Sequence, residues 1–581
     1  MQKRIVRRAL SSYVDTLPTH LHPVLRRVLM QRGVHAPLDL ELGLDQLLPG
    51  TLLKGLPAAA ALLADAVATQ QNILVIGDFD ADGATSSALA VAALKTLGAR
   101  RVDFLVPNRF TFGYGLTPEI VEVAAAQRPD LIITVDNGIS SLDGVASAKD
   151  RGIKVLITDH HLPGTQLPAA DAIINPNQPG DVFPSKSLAG VGVIFYVMLG
   201  LRAELRVRGW FAQAKMTEPN LAQFLDLVAL GTVADVVPLD RNNRILVHQG
   251  LKRIRAGRCT AGIEALIKVA GRVRERLTTA DLAFALGPRL NAAGRMEDMA
   301  LGIACLLSNQ PAAALRMAEQ LDGLNQERKF VEDEMKSQAM SALQRFEFAN
   351  IDAMPYGLVL YDTQWHPGVV GILASRVKDR FHRPVIAFAD ANEYEIKGSA
   401  RSIEGVHIRD VLDAIATHHP GLLSKFGGHA MAAGMTLLRV NLDQFRSAFD
   451  LQVRSLMSSG DLQGLVMSDG ELNGDEFSLE TATVLSHSMP WGQGFPEPQF
   501  DGRFKVLEQR IMAEKHLKLS ILPVGSPRPL EAVAFSFADR LGMSSPPNAG
   551  DELHLAYKLA PNHFRGETRL QLMIEYATPA G

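Results

Sequence analysis

The chain has 581 residues, of which 47% are hydrophobic and 21% charged, and its formal net charge is −3. This length exceeds what one hydrophobic core supports, so we expect three or four domains. The charge excludes a globally basic protein, so any nucleic-acid binding must come from a local patch. The two cysteines, Cys259 and Cys305, lie outside any CxxC pair, which argues against a disulfide framework or a structural zinc.

The start of the chain and its apolar runs indicate where the protein resides. MQKRIVRRAL is basic, but no apolar segment follows it, so we expect no secretory signal. The most apolar run, LAGVGVIFYVMLGL, is about 14 residues long and too short to span a bilayer. We therefore expect a cytoplasmic protein that has no contact with a membrane.

Residues 71–177 alternate short apolar runs with helical stretches. The runs are NILVIG, VDFLVP, LIITVD, KVLITD and AIINP. Strands and helices that alternate at this spacing predict a parallel sheet with helices on both faces. Near-continuous Val, Ile and Leu in the strands indicates burial on both sides.

Helical patterns then continue to about residue 348. The charged stretch LNQERKFVEDEMKSQAMSALQRF lacks a broad apolar stripe and predicts a helix that connects two domains. A second α/β segment follows at about 356–449. From about residue 465, short alternating runs separated by Pro, Gly, Asn and Asp predict an antiparallel β domain, plausible as a small barrel.

Acidic and histidine residues follow three of the predicted strands. NILVIG runs into Asp78, Asp80 and Asp82, which would share one face of an extended segment. LIITV runs into Asp136, and KVLIT runs into Asp159-His160-His161. Since the carboxyl ends of parallel strands form one edge, these side chains should meet there. Asp235 follows an apolar helix that would return it to the same edge.

Crowded carboxylates repel one another unless a cation neutralises them. Asp and neutral His ligands suit Mn²⁺ or Mg²⁺, and less specifically Zn²⁺ or Fe²⁺. Each motif alone has a plainer interpretation: a DxD is usually a solvated turn or a helix cap, and Asp-Asn-Gly is a turn. Their joint occurrence at consecutive strand ends favours a metal site, and two bridged ions are the usual apparatus for hydrolysis at phosphorus.

In this order, GDFDADG, VDNG, TDHH and VADVVPL resemble the four motifs of the DHH phosphoesterase superfamily, and FGGHAMAAG resembles its DHHA1 companion domain. NRFTFGYGL, LAGVGV, GPRLNAAGRM and WHPGVVGILASR are similar to the bacterial 5′→3′ single-strand-specific DNA exonucleases within it. The resemblance covers nearly the whole chain. It implies a parallel-sheet DHH domain, a smaller α/β DHHA1 domain joined to it by a long helix, and a C-terminal β-barrel like an OB fold.

The resemblance also implies roles for the residues at the sheet edge. Metal ligands are expected at Asp78, Asp80, Asp82, Asp136, His160 and Asp235, with Asp136 bridging two Mn²⁺ or Mg²⁺ ions. His161 is expected to point at the scissile phosphate, and Asp159 to orient the imidazoles.

Several further residues are expected to contact DNA phosphates. Arg109 follows a strand and suits a pair of phosphate oxygens, although a surface ion pair is the plainer interpretation. Ser399 and Arg401 sit two apart, and the matching pair in the family resembles a pocket for the 5′ end. FGGHAMAAG predicts a loop that contacts phosphate, and the alternative interpretation is the tight start of a helix. The whole expected set is Arg109, Arg289, Asn291, Arg295, His366, Ser399, Arg401, Gly428 and His429.

Two alternatives compete with a nuclease. A DHH enzyme acting on a dinucleotide or pyrophosphate would need only the first two domains, so the C-terminal β domain favours a polymeric substrate. A scaffold that only binds DNA would have lost ligands, and every expected ligand is present. The third glycine of a dinucleotide fingerprint is missing from GVGVIF, and no Walker A sequence exists, so neither NAD nor ATP is expected.

The expected organisation is an N-terminal helical segment (1–70), a DHH domain (71–300), a helical connector (301–350), a DHHA1 domain (351–450) and an OB-like domain (460–581). The resemblance implies a monomer that works on single-stranded DNA in recombinational, mismatch and base-excision repair. It also implies a single-strand-binding protein and a RecQ-type helicase as partners. We expect a narrow, positively lined channel that excludes duplex and is closed at one end by Arg109, Ser399 and Arg401.

Overall fold

The computed structural model describes residues 3–9, 14–107, 115–345, 354–365, 370–428, 430–458, 462–513, 515–525, 527–537, 545–564 and 566–580. Two compact units make up the chain. The N-terminal unit contains Leu10–Arg328 and Thr483–Glu497. The C-terminal unit contains Met1–Ala9, Lys329–Ala482 and Pro498–Gly581.

The strands, numbered along the chain, are β1 Arg4–Arg7, β2 Ile73–Ile76, β3 Val102–Leu105, β4 Leu131–Val135, β5 Lys154–Thr158, β6 Ala172–Ile174, β7 Leu358–Tyr361, β8 Val385–Asp390, β9 Glu395–Arg401, β10 Lys425–Gly428, β11 Ala432–Leu438, β12 Leu465–Ser468, β13 Phe500–Met512, β14 His516–Pro523, β15 Leu530–Ala534, β16 Glu552–Phe564 and β17 Glu567–Pro579.

The helices are α1 Pro23–Met30, α2 Leu56–Ala68, α3 Ala81–Thr96, α4 Pro118–Ala125, α5 Leu142–Asp150, α6 Gly190–Val207, α7 Trp210–Gln213, α8 Leu225–Ala234, α9 Arg241–Arg255, α10 Ala261–Val269, α11 Thr279–Asp281, α12 Gly287–Met296, α13 Ala300–Leu307, α14 Pro311–Arg345, α15 Val370–Phe381, α16 Ile408–His418, α17 Leu442–Leu456 and α18 Leu479–His487. Among the described residues, no single helix is long and apolar enough to cross a membrane, although the bent pair Leu44–Leu52 and Leu56–Ala68 passes that test together.

The N-terminal unit is built on a five-stranded parallel sheet in the order β3-β2-β4-β5-β6. Strands β2 and β4 are buried along their whole length, because helices cover both faces of the sheet. Strand order reverses between β2 and β4, and such a reversal opens a crevice at the carboxyl ends of the strands. The predicted parallel α/β domain is confirmed.

The C-terminal unit contains a mixed sheet and a barrel. In the order β10-β11-β9-β8-β7, only β7 and β8 run parallel. The predicted β-barrel is confirmed, and each of its strands bonds two neighbours in the closed order β13-β14-β15-β17-β16. One of its pairings, between β15 and β17, is parallel, whereas the alternating runs predicted an antiparallel domain.

The N-terminal segment differs from the predicted helical one. Arg4–Arg7 forms β1, which pairs in parallel with β12, and a buried carboxylate supports this pairing. Asp501 accepts hydrogen bonds from Arg7 Nε at 3.0 Å, Ser468 Oγ at 2.5 Å and His554 Nε2 at 3.0 Å. Residues from the first ten of the chain thus belong to the C-terminal unit.

Candidate metal centre and phosphate-binding residues

The structure brings the predicted acidic and histidine residues to one edge of the parallel sheet. Asp78 follows β2, Asp136 follows β4, and Asp159 and His160 follow β5. Asp235 reaches the same place from the end of α8, where it is the C-cap. The prediction of an extended segment for Asp78, Asp80 and Asp82 is wrong. Asp80 is the N-cap of α3, and Asp82 lies in its first turn.

The ligand atoms form two triplets in which all atoms lie within 4.8 Å of one another. One triplet is Asp78, Asp80 and Asp136, and the other is Asp82, His160 and Asp235. A third group that meets the same distance limit, Asp136, His160 and His161, shares a residue with each of them. His160 Nε2 lies 3.1 Å from Asp136 Oδ1 and 3.5 Å from Asp235 Oδ2, so the triplets are adjacent. This arrangement has the composition of a site for divalent cations that prefer oxygen and imidazole ligands.

Backbone N–H groups at the start of α6 hold Asp82, and the same helix start packs closely against Asp136. Asp82 accepts hydrogen bonds from the Gly190 N–H at 2.7 Å and the Val191 N–H at 3.0 Å. A Cβ atom at Gly190 would lie 2.6 Å from Asp136 Oδ1, so only glycine fits between this helix start and the carboxylates. The sequence analysis missed this role of LAGVGV, and its glycines after a loop were the available signal.

Asp136 has a strained backbone. Its φ of +62° lies in the left-handed region, which costs most residues roughly 1–2 kcal/mol and Asp or Asn less. Functional sites often retain such strain because the geometry requires it. Here it turns the chain directly after β4, so that the buried carboxylate faces the neighbouring acids.

Burial and mutual repulsion disturb the ionisation of these acids. Burial, with the nearby Asp80 charge, raises the pKa of Asp78 and of Asp82 to about 7. The same two causes, burial and neighbouring carboxylates, raise the pKa of Asp136 and of Asp235 well above the ordinary value. Carboxylates arranged in this way require a cation to become fully ionised near neutral pH.

Asp159 and His161 form a pair beside the triplets. Asp159 Oδ1 lies 2.8 Å from His161 Nδ1 and also accepts the His160 and His161 N–H groups, while Oδ2 accepts the Ile139 N–H. Burial opposes ionisation of Asp159, but the hydrogen bonds from His161 and Ile139 and the nearby imidazoles together outweigh it, and the pKa is lowered. Burial lowers the pKa of His161, but Asp159 reverses this and the net shift is upward. Four donors therefore occupy Asp159, as expected of an orienting residue.

GPRLNAAGRM lies mainly in α12, and its side chains have partners within the protein. Asn291 Oδ1 accepts a hydrogen bond from the Ala81 N–H at 2.8 Å, and Arg289 Nη2 pairs with Asp322 at 2.7 Å. A Cβ atom at Gly294 would lie 1.8 Å from the Phe79 carbonyl oxygen. The small residues of this motif thus let the backbone between Asp78 and Asp82 approach α12 closely. Arg295 is exposed.

In the C-terminal unit, Ser399 and Arg401 lie together on β9. Arg401 Nη1 donates to Ser399 Oγ at 2.9 Å and to the Ala400 carbonyl at 2.8 Å. A Cβ atom at Gly371, in the first turn of α15, would lie 3.0 Å from Arg401 Nη2 and 3.1 Å from Ser399 Oγ. Arg401 pairs with no carboxylate in the part of the chain that the structure describes, which leaves its charge for an anion.

Most of FGGHAMAAG lies in two strands rather than at a helix start. Its first and last residues belong to β10 and β11, and β11 pairs with β9 so that Gly434 is opposite Ser399. Gly428 ends β10 at φ +147°. This segment is therefore adjacent to Ser399 within one sheet. The predictions for Arg109, His366 and His429 fall outside the described residues.

Comparison with known proteins identifies each segment. Residues 72–232 match the DHH family, N-terminal domain, residues 355–455 the DHHA1 domain, and residues 468–576 the RecJ OB domain. The single-stranded-DNA-specific exonuclease RecJ of Dickeya dadantii is 54% identical over 97% of both chains. RecJ from Thermus thermophilus in complex with Mn²⁺ is 28% identical, with a TM-score of 0.73 over 96% of this chain and 76% of that one. Its complex with Mg²⁺ is 27% identical, with a TM-score of 0.69 over 96% and 75%.

The sheet edge, its crowded acids and the matched domains define a phosphoesterase of the DHH class. Within that class, the chain belongs to the RecJ family. The resemblance drawn from the motifs is thereby confirmed, as is the prediction of a metal-dependent nuclease.

Proposed function

We propose that this protein is a single-strand-specific DNA exonuclease that hydrolyses phosphodiester bonds from the 5′ end and releases 5′-mononucleotides. The observation that carries the proposal is the pair of adjacent acid and histidine triplets in a chain that matches single-stranded-DNA-specific exonucleases over nearly its whole length.

The residues fit divalent cations. Asp78, Asp80 and Asp136 would hold one Mn²⁺ or Mg²⁺ ion, and Asp82, His160 and Asp235 a second. Asp136 lies next to His160 and would contribute to both ions. The donors are oxygen and imidazole nitrogen, and the raised pKa values show carboxylates that lack a compensating charge. When bound, such ions neutralise charge on the phosphoryl group and activate water for in-line attack.

The chain's own residues orient this chemistry. Asp159 accepts the Nδ1 proton of His161 and fixes the imidazole, so His161 presents Nε2 to the substrate. Asp159 favours the protonated form of this imidazole by raising its pKa against the effect of burial, so Nε2 would donate a hydrogen bond to a phosphate oxygen. Asn291 and the Gly190 N–H hold the segment that carries Asp80 and Asp82.

Ser399 and Arg401 would bind a terminal 5′-phosphate. Arg401 brings an uncompensated guanidinium, Ser399 a hydroxyl, and the first turn of α15 backbone N–H groups, which together suit a dianion. Recognition of this end would determine the direction of digestion. Arg109, Arg295, His366 and His429 remain proposed contacts to DNA, and so does the neighbouring Gly428, whereas Arg289 would first have to leave Asp322.

We also propose the division of labour among the segments, with hydrolysis in 71–300, recognition of the 5′ end in 351–450, and strand binding by the barrel within 460–581. A single-strand-binding protein and a RecQ-type helicase are proposed partners in DNA repair.

The test is digestion of strands labelled separately at the 5′ and 3′ ends, single-stranded and in duplex, with Mn²⁺ or Mg²⁺. We expect mononucleotides to appear first from the 5′ end of single strands. Efficient digestion from a free 3′ end, or equal rates on duplex, would contradict the proposal. Hydrolysis of dinucleotides alone would favour the small-substrate alternative.

A further inference from the structure

Positive charge is concentrated in residues 251–276 of the N-terminal unit. This stretch contains eight Lys and Arg residues and two Glu residues, a formal charge of +6 in a chain whose total is −3. It comprises the end of α9, all of α10 and the 3₁₀ turn Arg274–Arg276. The cleavage chemistry described above uses none of these residues.

The folded chain joins these three elements into one surface. Arg255 Nε at the end of α9 donates to the Leu277 carbonyl at 2.8 Å. Arg274 Nη1 lies 3.1 Å from the position of a Cβ atom at Gly257 and 3.3 Å from Glu264 of α10. Lys268 is one helical turn beyond Glu264 on the same face of α10. We call this surface, residues 251–276, the basic patch.

Some cations of the basic patch already have partners. Arg272 pairs with Asp281 at 3.2 Å, and Arg274 with Glu275 at 2.8 Å as well as with Glu264. Four others are exposed and pair with no carboxylate among the residues that the structure describes: Lys252, Arg258, Lys268 and Arg276. Unpaired cations grouped in this way repel one another, and a polyanion would relieve that repulsion.

The basic patch is remote from the metal centre. Asp235 ends α8, and Asp240 caps the start of α9. The patch begins at Leu251, ten residues along α9 and about 15 Å from the start of that helix. The patch therefore cannot touch the scissile phosphate.

We propose that the basic patch is a second nucleic-acid site, which holds the phosphodiester backbone of a strand beyond the nucleotides at the metal centre. The stretch contains no aromatic residue, and its one exposed large apolar side chain is Val273. It therefore suits backbone contact through charge rather than base stacking or an apolar peptide. The proposal rests on the proposed function, because a nuclease on DNA supplies this polyanion.

The test is the salt dependence of DNA binding by the full chain in EDTA, where no cleavage occurs. The variant is Lys252→Ala/Arg258→Ala/Arg276→Ala. Its matched control is Arg206→Ala/Arg208→Ala, which removes guanidinium groups already paired with Glu218 and with Glu204 and Asp65. Affinity is measured by fluorescence anisotropy with 5′-phosphorylated single strands of about 6 and about 40 nucleotides. The short strand reports binding near the metal centre, and the long strand also reports contacts farther along the strand.

With the long strand, the slope of log K against log salt should flatten by about 2, since each lost contact to a single-strand phosphate removes about 0.7. Affinity near physiological salt should fall about 10-fold, while the short strand and the control variant should match wild type. An unchanged salt slope in the variant, or an equal loss of affinity in the control variant, would contradict the proposal that the basic patch binds a strand. These two results would leave the proposed function intact. The proposed function is contradicted only if the wild-type protein does not digest single strands from the 5′ end.

Discussion

At the scale of single residues, Asp136 lies between the two triplets, and its charge should be indispensable. We predict that Asp136→Asn lowers hydrolysis by at least about 100-fold, because one carboxylate serves both proposed ions. Asparagine tolerates the left-handed backbone at this position, so the fold and strand binding in EDTA should persist. The measurement is the initial rate in saturating Mn²⁺. Retention of more than a small percentage of wild-type activity would remove Asp136 from the ligand set.

Arg401 should distinguish a 5′-phosphate from a 5′-hydroxyl. Its charge-assisted hydrogen bonds are worth roughly 1.5–3 kcal/mol, so Arg401→Ala should slow cleavage of a 5′-phosphorylated strand about 10- to 100-fold. A 5′-hydroxyl strand should lose much less. Arg439→Ala is the matched control, since Arg439 pairs with Asp390 at 2.9 Å. If the ratio of the two substrates stays constant in Arg401→Ala, the 5′ end is recognised elsewhere.

Substitutions at Asn291 test whether this residue positions the metal ligands or contacts DNA directly. Because its Oδ1 accepts the Ala81 N–H between Asp80 and Asp82, Asn291→Ala should weaken Mn²⁺ binding about 10- to 100-fold, as loss of residues behind metal ligands does. Asn291→Asp keeps the acceptor and should restore most of this. The readouts are Mn²⁺ titration calorimetry and DNA affinity in EDTA. Weaker DNA binding with normal Mn²⁺ affinity would instead support the direct contact predicted from the sequence.

At the scale of elements, the sequence predicts what local pattern determines. Strands β2, β4 and β5 have continuous apolar runs ended by polar residues, so both their existence and their shared edge were predictable. Asp235 was predictable because α8 is apolar along its length. The N-cap position of Asp80 was less so, because a DxD pattern does not distinguish a strand end from a helix start.

Contacts between distant segments escaped the sequence analysis. The role of Asn291 depends on Ala81, 210 positions away, and no periodicity reports such a bond. FGGHAMAAG contributes to β10 and β11, which pair with each other, and β11 also pairs with β9. This pairing overrides the low strand propensity of glycine. β1 is four residues long and acquires its structure only from β12.

Asp501 should stabilise the pairing of β1 with the C-terminal unit. It is buried and accepts bonds from Arg7, Ser468 and His554, so Asp501→Ala leaves three donors unsatisfied. We predict a loss of about 1–3 kcal/mol in the free energy of unfolding, with faster hydrogen exchange in residues 4–7. Urea denaturation with mass-spectrometric exchange measures both. Glu471→Ala is the control, because it removes an exposed carboxylate that also pairs with Arg7. Equal exchange in both variants would contradict the prediction.

At the scale of the whole molecule, the metal centre should make stability depend on pH. Asp78 and Asp82 have pKa values near 7 when folded and near 3.9 when unfolded. Between these values the folded state holds protons that the unfolded state has lost, so stability falls as pH rises. The raised pKa of His161 acts in the same direction. Asp501 has a lowered pKa, so its contribution to stability is fully present above about pH 4 and does not change between pH 5 and 8.

We therefore predict that the metal-free protein melts at a lower temperature at pH 8 than at pH 5, and that Mn²⁺ raises the melting temperature more at pH 8. Differential scanning calorimetry in EDTA and in Mn²⁺ tests this. Asp82→Asn, which cannot ionise, should flatten the dependence without metal. A metal-free protein that becomes more stable from pH 5 to 8 would show that other groups dominate.

The pairing of β1 with β12 also has a consequence for synthesis on the ribosome. Arg7 emerges 458 residues before Leu465, and at roughly 5–20 residues per second that separation lasts about 25–90 s. During this interval the N-terminal unit can fold while residues 4–7 still lack their partner strand. Residues 4–7 of the nascent chain thus remain without a partner strand until the last quarter of translation, and a chaperone or a neighbouring nascent chain can reach them.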